Sequence, residues 1–107
     1  MSIDQTEVID SIGVDDSTGK VVLTISDQLE WDKNHLMLLQ DKLNTYLDFI
    51  ESGELLRSYP DSKNRVVLIN VICKHPPDKE SEKFLLQVND IVEGAGMEFN
   101  YRIFSPS

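Results

Sequence analysis

Apolar residues along the chain follow two spacings, and these divide it into strands and helices. The longest apolar run is Arg65-Val66-Val67-Leu68-Ile69-Asn70-Val71-Ile72-Cys73. It is rich in β-branched residues, far too short for a membrane span, and right for a strand buried on both faces. Pro76-Pro77 stops it soon after. We read it as the central strand of a small sheet. Residues 20–27 alternate, with Val21, Leu23 and Ile25 on one side and Val22, Thr24 and Ser26 on the other, a strand covered on one side only. Residues 8–14 alternate more weakly, with Val8, Asp10, Ile12 and Val14 in phase. Asp15-Asp16-Ser17-Thr18-Gly19-Lys20 between them reads as a hairpin loop in which Gly19 takes positive φ. A last half-buried strand covers residues 97–104, with Met97, Phe99, Tyr101 and Ile103 on one face.

Two stretches carry the 3.6-residue period instead. The first helix opens at Asp32, a good N-cap, and runs to about Ser52 before Gly53. Its expected buried stripe is Leu36, Leu39, Leu43, Tyr46, Leu47 and Ile50, with Trp31 and Leu36 spaced as a hydrophobic staple. Leu38 and Phe49 fall on the far side in this reading, where the following segment with Leu55, Leu56 and Tyr59 is the more economical partner and a second chain the other, so they form a candidate interface. A short helical turn is expected over residues 54–58 and a turn at 60–64. The second long helix is capped by Asp78, buries Phe84, Val88, Ile91, Val92 and Ala95, and ends at Gly94 and Gly96.

The order strand-strand-helix-strand-helix-strand predicts an α+β two-layer sandwich. A mixed four-stranded sheet carries both helices on one face, because crossovers between parallel strands are right-handed. The other face stays open and carries Val22, Thr24, Asn70, Asn100 and Arg102. Leu68 and Ile72 sit among them as a second candidate interface, compatible with a homodimer. A single domain over residues 1–107 is expected, with residues 1–7 a flexible N-terminus.

Composition narrows the partners. Nineteen acidic residues against ten basic give a net charge of −9, which argues against nucleic-acid backbone and anionic membrane surfaces. Such acidity serves solubility first, and a basic protein partner second. The one cysteine, Cys73, asks for no oxidising compartment, and the N-terminal sequence has neither the basic nor the apolar region of a secretory signal. A cytoplasmic location is expected.

The stretches Val8-Ile9-Asp10-Ser11-Ile12-Gly13-Val14-Asp15 and Val22-Leu23-Thr24-Ile25-Ser26-Asp27 resemble a bacterial family known only as a domain of unknown function. So do Trp31-Asp32, His35-Leu36, Phe49-Ile50-Glu51-Ser52-Gly53-Glu54, Ser58-Tyr59-Pro60-Asp61 and His75-Pro76-Pro77. The resemblance covers nearly the whole chain and implies no activity, ligand or catalytic residue.

Candidate chemistry is sparse. The loop 15–20 has neither the alternating ligands of a calcium loop nor the glycines of a phosphate loop. Cys73, His75 and His35 lack zinc spacings, and Cys73 is in phase with the core positions of its strand. No cofactor or metal is expected. His35 is read as a first-turn surface residue of the helix. Asp27, Glu30, Asp32 and His35 cluster at the end of the second strand, where α/β proteins bind ligands, and form the candidate ligand region. Two functional readings follow. The preferred one is a non-enzymatic acidic interaction module, one form of which is an immunity- or antitoxin-like protein that blocks a basic toxin. The alternative is a small-ligand or catalytic domain built on the 27–35 region.

Overall fold

A computed structural model describes residues 5–6 and 8–104. Strands β1 (Ser11–Val14) and β2 (Val21–Asp27) lead to helix α1 (Lys33–Glu51), the short helix α2 (Glu54–Ser58) and a 3₁₀ turn at Pro60–Ser62. Strand β3 (Val67–Cys73), helix α3 (Lys79–Gly94) and strand β4 (Glu98–Ile103) complete the chain. The sheet is mixed, in the order β1-β2-β3-β4, with β1 antiparallel to β2 and the other pairs parallel. Both crossovers step in the same direction across the sheet, so right-handedness puts α1 and α3 on one face.

Alternation in the strands meets the helical stripe at one core. Val21, Leu23 and Ile25 of β2, and Ile69, Val71 and Cys73 of β3, are buried with Leu39, Leu43 and Tyr46 of α1 and Leu85, Val88 and Val92 of α3. Each buried Leu, Ile or Val contributes roughly 2 kcal/mol, so packing, more than helix propensity, holds α1 in place. The opposite face carries Thr24 and Ser26, Asn70 and Ile72, and Asn100 and Arg102, in register across β2, β3 and β4. It is half-buried to exposed, as its sequence pattern predicts. Asn100 Nδ2 donates to Asn70 Oδ1 across it at 3.2 Å.

Turn chemistry fixes the ends. Gly19, at φ 73°, donates its N–H to the Asp15 carbonyl in the β1–β2 loop. The close of α3 is a Schellman motif: Gly96, at φ 85°, donates to the Glu93 carbonyl and Met97 to the Val92 carbonyl. Met97 and Val92 are both buried, the apolar contact that accompanies this motif.

Several expectations are corrected. The inward stripe of α1 is His35, Leu39, Lys42, Leu43 and Tyr46, turned away from Leu36, which lies outside the core cluster. Leu38 and Phe49, expected on the far side of α1, pack partly buried against the core. On α3, Leu85 takes a core position while Ile91 is 63% exposed. Strand β1 begins only at Ser11, because the Asp10 carboxylate takes the Ser26 N–H that a longer ladder would use. Of the expected flexible segment, residues 1–4 and 7 lie outside the described residues; the Gln5 carbonyl accepts from Lys42 Nζ at 2.9 Å.

Candidate functional site

The inward alternation of β2 continues past Ile25, so the side chain of Asp27 enters the space under α1. The Asp32 carboxylate accepts the His35 N–H at 2.8 Å and so caps α1, which turns the His35 ring toward the same space. Asp27 Oδ2 and His35 Nε2 lie 2.5 Å apart, with side-chain exposures of 0% and 1%. His35 Nδ1 lies 2.9 Å from the Glu30 carbonyl oxygen. A carbonyl only accepts, so Nδ1 carries a proton; donation from Nε2 to a carboxylate requires the second. With Asp27 ionised, the ring makes both bonds together only in its imidazolium form. Burial of the ring opposes the charge, but the hydrogen bond and the negative charge of Asp27, with the Glu30 carbonyl and Asp32, outweigh it and raise the pKa above its ordinary value.

Further bonds enclose the pair. Asp27 Oδ1 accepts the Leu29 N–H at 3.2 Å in an Asx turn, and the Asp27 carbonyl accepts the Lys74 N–H at 2.8 Å. The Trp31 ring stacks on His35 at 4.0 Å between centroids, tilted by 20°, and its Nε1–H donates to the His75 carbonyl at 2.8 Å. Trp31 therefore covers the His35 ring and ties the loop after β2 to the loop after β3. Spacing alone pairs Trp31 only with Leu36; the structure adds the His35 ring.

The four residues of the predicted ligand region are thus brought together, in unequal roles. Asp27 and His35 form a buried ion pair, Asp32 is a helix cap, and Glu30 contributes its carbonyl. His35 is a core residue and not the surface residue its place in the first turn suggests. Cys73 lies beside Asp27 in the β2–β3 register; burial and the Asp27 charge push its thiol up to about 12. Among the described residues, no three His, Cys, Asp or Glu are grouped to hold a metal.

A second buried network was not legible as a site. Lys42 Nζ lies 2.8 Å from Asp10 Oδ1, and Asp10 Oδ2 accepts the Ser26 N–H at 3.0 Å. The Tyr46 hydroxyl accepts from the Asp10 N–H at 2.9 Å and donates to the Thr24 carbonyl at 2.7 Å. Burial is the main reason the phenol pKa rises, so the hydroxyl stays a donor. The signal was available: His35, Leu39, Lys42 and Tyr46 share one helical face, and Asp10 and Asp27 share the inward phase of their strands.

Two surfaces remain open. On the sheet's uncovered face Leu68 and Ile72 are half-buried, and an open groove of about 610 Å³ lies at the strand ends beside Ile72, Lys74 and Phe104. Asp27 borders that groove, but its carboxylate is turned away from solvent. On the helical layer, a groove of about 180 Å³ runs between α1 and α3, with Leu43, Leu47, Phe84, Val88 and Ile91 among its lining. Asp41, Asn44, Asp48 and Glu51, all exposed, follow one another three or four residues apart along α1, and Asn44 of that row also lines the groove.

Residues 1–105 match the sequence profile of a family of unknown function, DUF6572. The chain belongs to this family. The match spans the sheet, both long helices and both buried networks, so the family covers the whole arrangement described above. Comparison with curated proteins returns no match, and comparison with solved structures returns none. The family brings no activity with it, and the function of the chain is unknown. Among the described residues, no helix is long and apolar enough to cross a membrane.

Proposed function

We propose that the chain is a non-enzymatic interaction module that receives a basic protein partner on its helical layer. The observation that carries this reading is the acidic row Asp41, Asp48 and Glu51 running beside an apolar groove that none of the described residues fills. Apolar contact supplies affinity, and the like-charged row supplies steering and selection. The net charge of −9 supports the same choice of partner. An immunity- or antitoxin-like role, in which the partner is a basic toxin, is one form of this function. A cytoplasmic location accords with the unpaired Cys73 thiol.

The strand-end pair supports catalysis less well. Both His35 nitrogens are engaged, both side chains are shut off from solvent, and a general base must reach the proton it removes. Asp27 and His35 are read here as a fastening between loops.

The test is capture of a host partner at low and moderate salt by the native protein and by a triple variant, Asp41→Lys, Asp48→Lys and Glu51→Lys, followed by rebinding of the purified partner. A basic protein that rebinds the native chain, is released at moderate salt and ignores the variant is the expected result. A partner that binds both proteins equally, at either salt, removes the electrostatic reading.

A further inference from the structure

We propose that the groove between α1 and α3 receives one amphipathic helix of the partner, with its basic residues over the end of the groove formed by the C-termini of α1 and α3. The proposal rests on the interaction reading above and specifies the occupant and its direction.

The walls of the groove select a helix. Both are helices whose backbone groups are bonded internally, so they offer no row of free N–H and C=O groups to an added strand. A helix brings its own backbone bonds and needs only an apolar ridge. The α1 wall from Gln40 to Leu47 is about 11 Å long at 1.5 Å per residue. That is two turns, matched by anchors spaced i, i+3 or i+4, and i+7. Ile91, 63% exposed on the α3 wall, is an apolar side chain that such a ridge would cover.

Charge sets the direction. Since α1 and α3 both connect parallel strands, they run the same way and their C-termini lie at one end of the groove. Neither helix has a basic residue in its last turn. The negative ends of both helix dipoles therefore meet Asp48 and Glu51 of α1 and Asp90 and Glu93 of α3, all exposed, with no cation from either last turn. The other end is mixed, since Lys33 and Lys79 open the two helices and Lys83 follows Glu80 and Glu82 one turn into α3. A helix with Lys or Arg at one end is thus drawn in one orientation.

The test uses the purified chain, isotope-labelled for NMR, and three synthetic helical peptides with one leucine ridge. One carries lysines at one end, one has the same residues in scrambled order, and one has glutamate in place of lysine. The expected result is that only the first shifts the amide signals of Asn44, Leu47, Gln87 and Ile91 at low salt. Ile91→Glu, a change at an exposed position, and the pair Asp48→Lys with Glu51→Lys should each weaken it by about tenfold or more. A spin label at the lysine end should broaden Ser52 and Ala95 before Lys33 and Lys83.

No groove shifts at millimolar peptide, or equal binding by the glutamate peptide, overturns the proposal. Broadening at the Lys33 end overturns its direction. A concentration-dependent dimer dissolved by Ile91→Glu assigns the groove to a second copy and overturns the choice of occupant. If the partner captured above is lost with the charge-reversal triple variant but kept by Ile91→Glu, the interaction reading stands and the groove proposal falls.

Discussion

Lys42 Nζ lies 2.8 Å from Asp10 Oδ1, and neither side chain has more than 2% of its surface in water. The pair joins the middle of α1 to the segment before β1, and Tyr46, one turn along the helix, bonds both that segment and β2. A short edge strand is thus held by ionic and hydrogen-bonding contacts beneath a helix. Removing the Lys42 charge leaves the Asp10 carboxylate buried without this cation. Lys42→Met should therefore destabilise the protein by about 3 kcal/mol. Adding Asp10→Asn should cost less in the double variant than the two single losses summed. Urea denaturation of the four proteins checks this, and simple additivity would count against the pairing.

Stability should fall as pH rises above 6.5. The folded pKa of His35 is raised above its ordinary 6.5. A raised folded pKa means that the contribution of the pair is complete below the unfolded value and is lost as pH climbs through the folded one. Above that point one ring nitrogen faces an acceptor without a proton. The melting temperature should therefore drop across the interval that opens at 6.5 and extends upward. Trp31 fluorescence should report the same transition, since the indole stacks on the titrating ring. In His35→Gln the transition should vanish from both signals.

Cys73 should be inert in the native protein. Burial and the Asp27 charge keep the thiol protonated up to about 12, and the residue is 1% exposed. Alkylation at neutral pH should proceed only through unfolding, so its rate should follow global stability and accelerate sharply in denaturant. Fast labelling of the folded protein would contradict the placement of the thiol.

Two glycines at the end of α3 should respond oppositely to alanine. Gly96 has φ 85°, and a side chain there is strained although no atom lies within 4 Å of the new Cβ. Gly96→Ala should destabilise by about 1 kcal/mol. Gly94 is the last residue of α3 and has open space around it. Gly94→Ala should stabilise by about 0.5 kcal/mol, through a smaller entropy loss on folding. Thermal melts of the two variants are sufficient.

Periodicity revealed β2, β4, the open face and the two long helices, because each has a half-buried pattern with apolar residues in phase. Strand β3 stood out instead as a continuous apolar run, yet only its inward side is buried, with Leu68, Asn70 and Ile72 half-buried. Periodicity failed where polar residues occupy core positions. Placing the α1 stripe on apolar and aromatic residues alone selected Leu36 and sent Lys42, Leu38 and Phe49 outward. The structure instead buries His35 and Lys42, seven residues and two turns apart, facing the carboxylates of Asp27 at the end of β2 and Asp10 just before β1. A cation on a helix is legible as a core residue only once the strand that answers it is known, and that pairing joins segments distant in sequence. Ile91 was misplaced for a related reason: the apolar period of α3 is wider than the face its neighbours cover.

The sheet order β1-β2-β3-β4 is also the order of the strands along the chain. During synthesis from the N-terminus each new strand therefore finds its neighbour already made, and no later segment has to be inserted between two earlier ones. Until residues 98–103 emerge, β3 is a growing edge with Ile69 and Val71 not yet flanked by Phe99 and Tyr101. The sheet can be laid down like a row of planks, each fastened to the last, and the chain is most vulnerable to mispairing in the interval before the final plank arrives.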